Sequence, residues 1–464
     1  MSETTLSRDL LDQSAGALVA ALAARQVSAL ELAEAAIARI EARDGAINAV
    51  VVRDFDRARE AARAADAALA RGERRPLLGL PMTVKESHDI AGLPSTWGSP
   101  GFQDYVAERD SVGVARLKAA GAVVLGKTNV PPMLSDWQSA NPIYGRTVNP
   151  WDPTRSPGGS SGGGAAALAA GMVPLEFGSD IGGSIRVPAA FCGVYGHKPS
   201  YGLIPIRGHA PMGLDGLPPP LAVVGPLARS AADLQLALDV LAGPDELEAA
   251  GYRLALPSPR RERLADYRVL VVDSLPGIAT DGEIRAALAA LADKLEALGA
   301  DVQRDSGRLP DPRAARPVFM GLLQTAMSRG QPGAEPVNAH EYMGLLDGQL
   351  AIRRRWAALF EEFDVVLAPV FITVAFPHTD EADWSKRTLT VDGEPAPYGD
   401  GLAWPSVALL PNLPATALPI GFSRGGLPIA AQAIGPYLED RTTIAFAGLV
   451  EREIGGFRPP TPLG

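Results

Sequence analysis

Residues 156–199 read SPGGSSGGGAAALAAGMVPLEFGSDIGGSIRVPAAFCGVYGHKP, and they carry most of the chemistry legible in this chain. Two glycine clusters hold serines: Gly158-Gly159-Ser160-Ser161-Gly162-Gly163 and Gly182-Gly183-Ser184. Glycine lacks a Cβ atom and opens backbone conformations closed to other residues. A serine set among glycines can therefore be presented as a nucleophile, with backbone N–H groups aimed at a reacting oxygen. Ile181, Gly182, Gly183 and Ser184 can supply such donors, one of which is worth roughly 2.7–4 kcal/mol in other hydrolases. Serine alone is a poor nucleophile, so a base must take its proton, and no histidine precedes His197 within this stretch.

The order GGSSGG followed by GSDIGGSIRVPAAFCGVYGHKP resembles the amidase signature family of serine hydrolases. Upstream, PLLGLPMTVKESHDIAG (76–92) resembles the segment in which that family carries its catalytic lysine. The resemblance implies Lys85 as base, Ser160 as relay after a cis peptide bond, and Ser184 as nucleophile. The intervals, 75 residues from Lys85 to Ser160 and 24 from Ser160 to Ser184, are of the family's kind. A working Lys85 must shed its proton, which means bringing a free pKa of about 10.4 down to about 7–8, at a cost of roughly 4 kcal/mol. Leu78, Leu80, Met82 and Val84 alternate in a strand-like run that ends at Lys85. Asp180 and Arg186 flank the second serine and are expected to hold its loop by hydrogen bonds. Ser161 either reinforces the relay or makes a local backbone hydrogen bond.

Two other patterns compete. Gly121 to Thr128 (GAVVLGKT) fits the phosphate-loop expression, but its apolar run lies between the glycines and Pro131-Pro132 stops any following helix. Gly158-Gly159-Ser160-Ser161-Gly162 fits the nucleophile-elbow pattern, but a proline-rich coil precedes it instead of a buried strand. His378 and Asp364 are the partners such an elbow would need, and Asp364 sits at a strand start, an ordinary structural place. His340-Glu341 lacks the second histidine of a zinc helix, and Cys192 is the only cysteine. No metal and no cofactor is expected.

The elements that position these residues alternate. The first 72 residues read as a helical layer, with a capping box at Ser28-Ala29-Leu30-Glu31 and a second helix from Asp56 to Arg71. From Arg75 onward strands (RPLLGLPMTV, GAVVLG, YRVLVV, EFDVVLAPV) alternate with helices such as GEIRAALAALADKLEALG (282–299). The fold class is α/β, and the resemblance implies a large mixed sheet with helices on both faces. The expectation is one catalytic domain over 1–464, with its signature core at 76–230 and a variable, substrate-side region at 245–345. Within the latter, 321–350 reads as a helix start followed by a loop, either an ordinary surface loop or one that closes over the site.

A net charge of −10 without a basic stripe argues against nucleic acid or anionic membrane partners. No run of about 18 apolar residues is present. MSETTLSRDLLDQSAG has early charges and no apolar core of signal-peptide length, so a soluble, cytoplasmic protein is expected. Alignment with the family places Met133, Leu134 and Trp137 beside the substrate pocket, where they favour a neutral, hydrophobic substrate; Trp137 reads equally well as core. GLIPIRGHAPMG after Tyr201 departs from the GRVSRYG-like stretch of family members that act as transamidase subunits. The resemblance thus implies a stand-alone, ping-pong hydrolase of amides, anilides or esters, with carbamates open to the same apparatus. Its alternatives are a transamidase subunit needing partner chains and a ligand-binding protein on the same fold. Oligomeric state is not legible.

Overall fold

The computed structural model describes residues 10–211, 216–329 and 333–463. Its frame is an eleven-stranded mixed sheet. In chain order the strands are β1 (Val50–Arg53), β2 (Pro81–Lys85), β3 (Val123–Thr128), β4 (Leu175–Asp180), β5 (Tyr195–Lys198) and β6 (Val223–Ala228). They continue as β7 (Arg268–Val271), β8 (Asp301–Gln303), β9 (Val365–Pro369), β10 (Ala415–Phe422) and β11 (Pro428–Ile434). The spatial order is β1-β3-β2-β4-β6-β5-β10-β11-β9-β7-β8. β2 runs parallel to β3 and β4, and β7 parallel to β8 and β9; the remaining neighbours are antiparallel.

The helices used below are α1 (Ala15–Ala23), α2 (Ala29–Arg43), α3 (Phe55–Ala70), α4 (Val112–Ala119), α5 (Gly162–Ala169) and α6 (Arg186–Cys192). They are followed by α7 (Ala231–Leu241), α8 (Gly282–Ala297), α9 (Pro312–Ser328), α10 (Ala339–Leu359), α11 (Ala403–Leu409) and α12 (Asp440–Glu453). Successive strand residues point to opposite sheet faces, and β4 shows both. Glu176 meets Gly164 of α5, whereas Phe177 meets Gly113 of α4. Helices thus cover both faces, and β2 to β6 are buried along their length.

The capping box forms as expected: Ser28 Oγ accepts from Glu31 N–H at 3.0 Å and Glu31 accepts from Ser28 N–H at 2.8 Å. The expected strand–helix–strand unit is β7-α8-β8. The first 72 residues are not wholly helical, because Val50–Arg53 pairs antiparallel with β3 at the sheet edge. Four residues are too few to show a period, and only the partner strand makes them extended. The stretch 321–350 is mostly a hairpin of α9 and α10, packed where Gly321 faces Leu345; Gly330 to Pro332 lie outside the described residues. Met212 and Gly213, at the end of GLIPIRGHAPMG, lie outside them as well. Among the described residues no helix is long and apolar enough to cross a membrane.

Candidate active site

Lys85 is the last residue of β2 and is wholly buried. Its Nζ donates to Ser160 Oγ at 2.7 Å and to Ser179 Oγ at 2.8 Å. Burial pushes its pKa down to about 7, against the opposing pull of the Asp180 and Glu176 carboxylates. Glu176 lies behind it in β4, accepting from Thr83 Oγ1 and, at 2.7 Å, from Thr128 Oγ1. Burial raises the Glu176 carboxyl to about 7, so the anion that would hold a proton on Lys85 is itself weakened.

Ser160 stands at the entry to α5, after a cis Gly159–Ser160 peptide bond. Gly159 has no room for a side chain, since a Cβ there would lie 2.4 Å from Asp136 O. Ser161 N–H donates to Ser184 O at 3.2 Å, which ties the two serine clusters together. The Ser161 hydroxyl is engaged with backbone: it donates to Ser179 O at 3.3 Å and accepts from Ser179 N–H at 3.4 Å.

The loop from β4 to α6 carries Ser184, which is 5% exposed. Asp180 accepts from Gly183 N–H at 2.8 Å, Ile185 N–H at 3.2 Å and the Arg186 guanidinium at 3.1 Å. Arg186 in turn donates to Gln432 Oε1 at 2.6 Å and Pro405 O at 3.2 Å. Burial would raise the Asp180 pKa, but the Arg186 guanidinium outweighs it and holds the carboxyl below its ordinary value. Asp180 thus hydrogen-bonds both the loop backbone and Arg186. Gly183 N–H is engaged by Asp180.

Trp137 is 3% exposed, packs against Phe371 and Trp384 with centroids 4.9 Å apart, and donates from Nε1 to Gly182 O at 3.0 Å. It belongs to the hydrophobic core and is hydrogen-bonded to the loop. Met133 and Leu134 are half-buried in a turn with φ of 52° and 58°. On the loop's other side Ile181 and Leu402 pack on Leu221, Phe319 and Leu322, which brings α9 of the variable region against the site.

The competing patterns dissolve. Lys127 lies inside β3, donating to Pro94 O and Ser95 Oγ. Asp364 accepts from Arg261 at 3.1 Å and Arg268 at 2.8 Å, away from His378. Among the described residues no three His, Cys, Asp or Glu side chains gather as metal ligands.

Ser179, Glu176 and Gln432 are the partners that sequence reasoning missed. Ser179 adjoins Asp180 in GSDIGGS, yet only the approach of β2 to β4 makes it a partner of Lys85.

With this geometry in view, comparison with known proteins is decisive. The amidase family model matches residues 31–330 and 323–444. The chain belongs to the amidase signature family. Among its relatives, a glutamyl-tRNA(Gln) amidotransferase subunit of Anaeromyxobacter sp. (strain K) is 35% identical, covering 96% of both chains. A putative amidase, AmiB2, of Mycobacterium tuberculosis (strain H37Rv) is 36% identical, also over 96% of both. A bacterial aryl acylamidase of the amidase signature enzymes superposes with a TM-score of 0.79 at 27% identity, over 95% of this chain and 96% of that one. This amidase-signature chain is accordingly a carbon–nitrogen bond hydrolase.

Proposed function

We propose that this amidase-signature chain hydrolyses neutral, hydrophobic amides and anilides by itself, through an acyl-enzyme on Ser184, with carbamates and esters as further substrates. The observation that carries the reading is the buried Lys85 Nζ, poised near neutral pKa and 2.7 Å from Ser160 Oγ. Ser184 Oγ attacks the carbonyl carbon while its proton passes to Ser160 and the Ser160 proton to Lys85. The carbonyl oxygen becomes an oxyanion facing the N–H groups of Ile181, Gly182 and Ser184. The C–N bond then breaks, and the proton returns from Lys85 through Ser160 to the leaving amine. Water, deprotonated along the same relay, attacks the acyl-enzyme and releases the acid. A carbamate follows the same course, its product then losing carbon dioxide.

Apolar Ile181 and Leu402 at the loop support a neutral substrate, as does the similarity to an aryl acylamidase. The similarity to a glutamyl-tRNA(Gln) amidotransferase subunit supports a second reading, a transamidase component that works with partner chains. Both are tested by incubating the purified chain, beside Ser184→Ala, with a neutral aryl amide and its matching aryl carbamate, and following amine release. Release that vanishes in Ser184→Ala is expected. No release from either compound would favour the partnered transamidase or a ligand-binding role.

A further inference from the structure

The turn after Lys85 carries a second buried cluster that the proton relay does not use. His88 stacks on Phe177 with centroids 4.2 Å apart, His209 lies 4.5 Å from His88, and Trp97 lies 4.9 Å from His209. All three are more than nine-tenths buried. His88 Nε2 meets Gly178 O at 3.3 Å and His209 Nε2 meets Ser87 Oγ at 2.9 Å. Trp97 Nε1 and His88 Nδ1, by contrast, have no protein partner. An indole N–H can only donate, and buried polar groups almost always find a partner.

The backbone marks the same spot. Trp97 has φ 53°, and its carbonyl accepts from the N–H of Met133, itself at φ 52° and followed by Leu134 at φ 58°. Side chains other than glycine are rare in this region and gather at ligand clamps and active sites. Trp97 is fixed there by Glu86, the residue after Lys85, whose carboxylate accepts from Trp97 N–H at 2.9 Å and Thr96 N–H at 2.6 Å. The unpartnered donor is therefore built onto the turn that presents the base.

We propose that Trp97, beside His88 and His209, forms a subsite for a second carbonyl carried by the amide substrate, its oxygen accepting from the Trp97 indole N–H. This rests on the reading of the chain as an amide hydrolase and names its substrate class: diamides and related compounds over plain amides. Burial keeps both imidazoles uncharged at neutral pH, His209 with a pKa of about 3, and His88, donating from Nε2 to Gly178 O, keeps Nδ1 as an acceptor, so the subsite's free donor is the Trp97 N–H. A carbonyl suits it better than a carboxylate.

N-phenylsuccinamide and valeranilide share an anilide and a chain of similar length, and only the first has a second carbonyl. Trp97→Phe should lower the ratio of kcat/KM for the succinamide over the valeranilide about tenfold. An unchanged ratio overturns the subsite while leaving the hydrolase reading intact. A second measurement does not depend on turnover or on the folding of the Trp97 variant. In Ser184→Ala protein, the Trp97 indole N–H resonance should move downfield on titration with N-phenylsuccinamide and stay in place with valeranilide. Movement with neither compound, or equally with both, overturns the proposal. Absence of turnover in the wild type, with the indole shift present, would instead count against the hydrolase reading alone.

Discussion

At the residue scale the chain depends on removing a lysine from water. Among the described residues Lys85 is buried without a carboxylate in hydrogen-bonding contact, its Nζ meeting the hydroxyls of Ser160 and Ser179. Hydroxyls accept a hydrogen bond from an ammonium but do not repay its lost hydration, so the proton leaves near neutrality. As the proposed base, Lys85 acts when neutral, which fixes the sign of the pH dependence. The kcat/KM should rise with pH, tenfold per unit below about 7, and level off above it. Measuring it between about pH 5 and 9 tests this, and a profile flat through neutrality would remove Lys85 as the base. Lys85→Ala should cost several orders of magnitude, and least at high pH, where solvent hydroxide begins to replace the missing base.

At the element scale the decisive piece is the tight loop joining β4 to α6. Gly183 has φ 97°, and a Cβ there would come within 2.8 Å of both Pro405 and Val187. Gly183→Ala is therefore strained in its backbone and crowded in its packing, and should destabilise the fold by about 1–3 kcal/mol. It should also lower kcat, because relief of the clash moves the N–H groups on either side. Denaturant midpoint and kcat would be read together; a variant as stable and active as the wild type would refute the packing argument. Asp180→Ala removes the acceptor for Gly183 and Ile185 N–H and strands the buried Arg186 guanidinium. Breaking a buried pair from one side is expected to cost about 3–5 kcal/mol, visible as a lowered denaturant midpoint.

At the scale of the whole molecule, buried side chains tie segments far apart in sequence. Asp440, at the start of α12, accepts from Ser200 N–H at 2.8 Å, Ser200 Oγ at 2.7 Å and His197 Nε2 at 3.1 Å. Asp233 in α7 accepts from Ala15 and Gly16 N–H, each at 2.9 Å, and so anchors α1. Asp440→Ala should leave three buried groups without their acceptor and cost roughly 3 kcal/mol, seen as an earlier denaturation midpoint. Catalysis per folded molecule should be kept, since the last helix contributes no group to the relay. A loss of activity without a loss of stability would show that Asp440 reaches the site through β5.

What could be read from the chain alone was whatever a short run of residues dictates for itself. The glycine-serine clusters, the capping box at Ser28, the alternation ending at Lys85 and the period of α8 all carry their meaning locally. The four residues of β1 carried none, because a strand that short is extended only when β3 lies beside it. Nor did the sequence indicate that Ser179 would meet Lys85, or that Trp97 and His209 would gather around His88. The contacts of Lys85 with Ser179 and of His88 with His209 join residues 94 and more positions apart, and their geometry is set when strands and loops pack, not by any local preference. The residue types for the chemistry are written in the sequence; the burial that lowers the Lys85 pKa exists only once the sheet and its helices close around it.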